Sequence, residues 1–152
     1  MVKNVLSAAA VPIFGFILLN FTFIFNAIFQ GIIRGLFRLF APLEPNMDIY
    51  WFPPSTRILF AAIILLISWF IFRSKLKVIY KAIYLVVPIT VILVTAGIFL
   101  YHWPIISYSF GGLFCAGILY YLYRTKQSWL YYYTVLLVGL VLLIFNLLGG
   151  EI

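Results

Sequence analysis

The chain has 152 residues, 66% of them hydrophobic and only 9% charged, with a mean hydropathy of +1.20. A water-soluble domain of this length has too little interior to hide so much apolar surface, so lipid is its natural solvent. The net charge of +7 does not point to nucleic acid, because the ten Lys and Arg are spread between apolar runs instead of forming a basic patch.

A first apolar run covers 11–33, with Lys3 before it and Arg34 and Arg38 after it. Pro12 falls in its first turns, where a missing amide does little harm. The small residues Ala8, Ala9 and Ala10 precede the run, whereas a leader cleavage site follows its apolar core. The run therefore reads as a retained span. It predicts a helix that continues to Phe40 as an amphipathic extension and is stopped by Pro42 and Pro45.

Polar residues on this span recur in steps of four: Thr22, Asn26, Gln30, Arg34, Arg38. That spacing puts them on one slowly drifting face. Unpaired amides in hydrocarbon are costly, so Asn26 and Gln30 are expected to hydrogen-bond across to a neighbouring helix. The functional alternative is a polar path or headgroup slot leading up to the arginines. Arg34 and Arg38, one turn apart, can reach the same anion, and phosphate suits their fork geometry. Their ordinary reading is snorkelling to lipid phosphates, or pairing with Glu44 and Asp48 in the loop that follows.

That loop, 41–54, holds Pro42, Pro45, Pro53 and Pro54 and two of the three acidic residues. Its aromatic stretch Tyr50-Trp51-Phe52 suits a lipid–water interface. A second span covers 55–72, with Ser55 as the expected N-cap. It is short for a hydrocarbon core of about 30 Å, and Arg57 and Arg73 can snorkel from its two ends. A third covers 78–101, with a kink expected at Pro88. The turn after it carries His102, the chain's single histidine. His102 reads as an interfacial side chain beside Trp103, or as an acid or base working with Glu44 or Asp48.

A fourth span covers 104–123. Gly112 and Ala116 make a small-xxx-small pair on it, and Gly111 and Cys115 make another, extended by Ser107. Close backbone packing is the expected use, and a smooth groove for a lipid chain the alternative. Gly31 and Gly35 make a similar pair at the end of the first span. Cys115 is the lone cysteine, so no intrachain disulfide forms. The fifth span covers 129–148, with Tyr131-Tyr132-Tyr133 as an aromatic girdle and Gly149-Gly150 as its stop.

In lipid each backbone amide must be satisfied within its own segment, and runs apolar on all sides do not suit barrel strands. The fold class is therefore an all-α integral membrane protein with five transmembrane helices in one domain. A repeat is superimposed on this. Tyr50, Pro53, Ile67, Arg73, Lys75 and Tyr80 recur 51 positions on as Tyr101, Pro104, Ile118, Arg124, Lys126 and Tyr131. Read as a duplication, it makes one helix plus two tandem parallel-repeat helical hairpins. The alternative is compositional, since membrane spans tend to begin with Pro and aromatics and end with Arg and Lys. Basic residues set the orientation. Lys3, Arg73, Lys75, Lys77, Lys81, Arg124 and Lys126 fall on one side, and Arg34, Arg38 and Arg57 on the other. Seven against three predicts a cytoplasmic N-terminus and an outer C-terminus.

No acidic residue falls mid-span, which argues against a carboxylate proton relay within one chain. A single histidine excludes a bis-histidine haem, and no phosphate loop, metal-ligand spacing or nucleophile elbow occurs. No cofactor or metal is expected, and no catalytic set stands out, with His102, Glu44 and Asp48 the weak candidates. The candidate ligand-binding residues are Arg34, Arg38, Asn26, Gln30 and Arg57. The expected function is that of a non-enzymatic transport component or a subunit of a membrane complex. It would be partnered by the bilayer and by its own copies or another membrane subunit. The alternatives are an enzyme acting on lipid headgroups through Arg34, Arg38 and His102, and an anion-conducting oligomeric pore. An anionic lipid or phosphate-bearing ligand fits either.

Overall fold

The computed structural model describes residues 2–40 and 52–147, and these form five α-helices. They are α1 (Val2–Phe40), α2 (Phe52–Arg73), α3 (Val78–Phe99), α4 (Pro104–Arg124) and α5 (Trp129–Leu147). All five are long and apolar enough to cross a membrane, and no strand occurs among the described residues. The all-α class and the five predicted spans match these elements.

Two boundaries differ from expectation. The first helix begins at Val2, so it adds more than two turns before residue 11 and runs for 39 residues. At 1.5 Å per residue it is about 58 Å long, nearly twice a hydrocarbon core. The second difference concerns Ser55. Helix α2 begins at Phe52, which makes Ser55 a residue inside the helix and not its N-cap. Pro53 and Pro54 fall in the first turn, where amides have no intrahelical acceptor and a proline ring presets φ. They start the helix that a serine was expected to start. Pro104 does the same for α4.

The connections are tight. Four residues, 74–77, join α2 to α3, and four more, 125–128, join α4 to α5. In the second turn Lys126 has φ 48°. Its amide donates to the Tyr123 carbonyl at 3.2 Å, and that of Gln127 donates to the Leu122 carbonyl at 3.1 Å. This pair of bonds is a Schellman ending, with lysine where glycine is usual. In the first turn the Lys81 ammonium donates to the Phe72 carbonyl at 2.8 Å, which satisfies an acceptor that the end of α2 leaves open. The Arg73 guanidinium lies 5.3 Å from the centre of the Trp69 ring.

Contacts fix the directions. Ser68 on α2 hydrogen-bonds Tyr84 on α3 at 3.3 Å, and Lys81 reaches back to Phe72, so these two helices are antiparallel. Gly15 on α1 meets Val86 on α3, while Asn26 lies near Thr95, so α1 and α3 run the same way. Thr134 on α5 lies 3.3 Å from the Ala82 carbonyl, while Asn146 lines a cavity with Gly97, so α5 also runs with α3. Helix α3 is the centre and packs against all four others. Its stretch Val86 to Val91 is buried without a break, Pro88 included. One apolar cluster joins Val11, Ala82, Val86, Leu122 and Val135, and a second joins Phe60, Ile64, Val87 and Val91.

Helix α4 is the least engaged. Only Leu122 is buried along its 21 residues, while Ile105 and Leu113 are exposed.

Candidate functional site

The step-of-four polar face on α1 exists, but it pairs differently from the sequence expectation. The Gln30 side-chain amide donates to Asn26 Oδ1 at 3.2 Å, along the same helix. Thr22 likewise donates to the Leu18 carbonyl one turn back at 2.8 Å. Gln30 bonds Asn26 at spacing i,i+4, and among the described residues neither hydrogen-bonds across to a neighbouring helix. A single turn brings two amides within reach, so the bond forms without a partner helix.

Asn26 and Thr22 then line a cleft between α1, α2 and α3 with a volume of about 60 Å³. Arg57 enters it from α2 and Thr95 from α3. Phe23, Phe60, Val91, Val94 and Ile98 supply apolar walls. Arg57 is half-buried. Among the described residues its guanidinium makes no hydrogen bond or ion pair. None of the described residues is acidic, because Glu44, Asp48 and Glu151 all lie outside them. Among the described residues the lining presents a cation and neutral polar groups against hydrocarbon walls. It sits at the level of Val91 to Ile98 on α3, toward the end opposite the basic turns.

Other candidates stand apart. Arg34 and Arg38 are exposed on α1, beyond the residues that line the cleft. His102 is exposed in the α3–α4 turn, with its ring edge-on to Tyr101 at 5.7 Å. It lines neither cavity described here. The expected partnership of His102 or the two arginines with Glu44 and Asp48 lies outside the described residues. Among the described residues, His, Cys, Asp and Glu form no group of three or more that could hold a metal ion.

The small residues of α4 depart from their expected use. A Cβ at Gly112 would meet nothing within 4 Å, and at Gly111 only the tip of Leu93 at 3.8 Å. Ala116 is exposed. Within the chain, close backbone packing is not formed there. Instead Gly111, Gly112, Cys115, Gly97 and Gly139 line a second cavity of about 110 Å³, with Ser107, Tyr108 and Asn146 as its polar members. Gly31 and Gly35 are equally open.

The close approach occurs where sequence reasoning did not look for it. A Cβ at Gly15 would lie 2.8 Å from Val86 Cγ2, so α1 and α3 touch at a glycine. Val11 and Gly15, one turn apart and both buried, were the available signal. Thr95 and the buried Thr134 were also missed. A threonine in an apolar run binds its own helix carbonyl, as Thr134 does to Leu130 at 2.8 Å, and so leaves little trace in a polarity pattern.

No protein-family model, curated protein or solved structure matches the chain.

Proposed function

We propose that this protein is a non-enzymatic component of a larger membrane assembly, acting in transport or as a structural subunit. The observation that carries the reading is the state of α4. It is apolar enough to span a membrane and buries only Leu122 within the chain, while Gly112 and Ala116 lie on it uncovered. Small residues gain little against lipid tails, but they let another helix backbone approach closely. An open face of this kind suits a second copy or a partner subunit.

The proposed orientation places the turns after α2 and α4, and the N-terminus, in the cytoplasm. Seven basic residues on that side against three on the other support it. The 51-residue correspondence supports a duplicated hairpin, since both turns are four residues long.

Native mass spectrometry of the protein, extracted gently from its own membrane, tests the reading. The expected result is a homo-oligomer or a complex of fixed stoichiometry with another membrane protein. A monomer with no associated chain would overturn it.

A further inference from the structure

We propose that the cleft between α1, α2 and α3 is a binding site for a phosphate group, held by Arg57 and Asn26, with the apolar walls taking the hydrocarbon attached to it. The site does not depend on the assembly reading.

Arg57 brings five N–H donors and a permanent positive charge into a cleft walled by Phe23, Phe60 and Ile98. A cation at the edge of a span is costly unless paired or drawn to the interface. Among the described residues Arg57 has no hydrogen-bond or ion-pair partner.

Next comes the polarity of the neighbours. Asn26 uses its side-chain oxygen to accept from Gln30, which leaves its amide N–H pair free to donate. The cleft thus combines a guanidinium with an amide donor, and no carboxylate is among its described lining residues. It suits an anion and repels a cation. Charge-assisted bonds of this kind are the strong ones, and a guanidinium grips two phosphate oxygens at once.

Arg57 follows Pro54, where the apolar segment of α2 begins, by three residues, or about 5 Å along the axis. In a bilayer matched to that apolar segment, this level falls near the headgroup–acyl boundary. A volume of about 60 Å³ admits a small polar group, and the walls run on as hydrocarbon. Both a phospholipid phosphate and free inorganic phosphate present the required oxyanion, and the walls favour the lipid.

The test uses the full chain in neutral detergent and counts bound ligand by native mass spectrometry. The probes are phosphatidylglycerol, diacylglycerol with the same chains, and inorganic phosphate. One phosphatidylglycerol per chain is expected to survive at concentrations where diacylglycerol leaves. Arg57→Gln should weaken that binding by at least about tenfold, as loss of a charge-assisted bond implies. Arg57→Lys, which keeps the charge but loses the fork, should fall between. Arg124→Gln, at the end of α4 by the opposite turns, should bind as the native chain does. Competition by inorganic phosphate would identify a free-anion site, and indifference to it a headgroup site. Either of these supports a phosphate site. Equal retention of diacylglycerol, unchanged binding by Arg57→Gln, or no adduct at all would overturn it. Should Arg57→Gln fail to fold, Arg57→Lys and Asn26→Leu carry the same comparison. The spectra also report subunit number, so failure of the site and failure of the assembly reading are separately visible.

Discussion

Single atoms decide how α1 meets α3. A Cβ added at Gly15 would sit 2.8 Å from Val86 Cγ2 and 3.4 Å from Val86 Cβ. Valine is branched at Cβ and holds one rotamer in a helix, so it cannot swing aside. Gly15→Ala is therefore expected to destabilise by about 1–3 kcal/mol, the usual cost of overpacking. It should be read as a lower thermal midpoint in detergent, with Val86→Ala restoring part of the loss. Additive losses in the double variant would show that the contact is not the cause. The polar residues of the cleft carry a contrasting expectation. Asn26 and Gln30 bond within one helix, so Asn26→Leu should cost well under about 1 kcal/mol while weakening phosphate binding. The same contrast describes what a sequence conveys. The step of four at Thr22, Asn26 and Gln30 was legible because helical period alone fixes it. Which residue Asn26 would bond was not, since i+4 and a neighbouring helix satisfy an amide equally well. Arg57 was legible as a charge at a span end, but its meeting with Asn26 depends on the antiparallel register of α1 and α2.

Helix ends show a related asymmetry between what composition dictates and what local geometry dictates. The apolar runs located five helices because uninterrupted hydrocarbon-facing sequence has one stable backbone solution in lipid. The caps were harder. Ser55 is a good N-cap residue, yet Pro53 and Pro54 begin α2 before it. The turn after α4 makes the same point from the other end. It needs a left-handed residue and uses Lys126 at φ 48°, which no polarity pattern announces. Relief of this strain is measurable. Lys126→Gly is expected to leave stability unchanged or raise it by up to about 1 kcal/mol, whereas Lys126→Val should lower it by about 1–2 kcal/mol. A valine variant as stable as the native chain would mean that the turn has another conformation. Pro88 belongs to this scale as well. It removes the amide that would otherwise meet the Tyr84 carbonyl in the middle of α3, where α3 is buried from Val86 to Val91. The helix most surrounded by others thus carries an interrupted hydrogen-bond ladder, as does α1, where the start at Val2 puts Pro12 inside the helix and not in its first turns as the sequence predicts.

At the scale of the molecule, α3 is enclosed while α4 stands largely uncovered. If α4 meets another chain, Gly112→Leu has a distinctive outcome. Nothing lies within 4 Å of a Cβ there, so the chain should fold normally and the assembly should dissociate in native mass spectrometry. A folded variant with unchanged stoichiometry would remove α4 from the interface. Orientation is tested independently in a Cys115→Ser background, which removes the only native thiol. Lys75→Cys should resist an impermeant thiol reagent applied to intact cells and react after permeabilisation. Finally, α1 is one helix from Val2 to Phe40 that touches its neighbours at two levels, Val86 through Gly15 and Phe60 through Phe25 and Phe29. Gly15 and Phe29 lie about 21 Å apart along the axis. A rod held at two such levels cannot tilt about one without opening the other. The cleft that Asn26 lines lies between them, so its width is set by both contacts together.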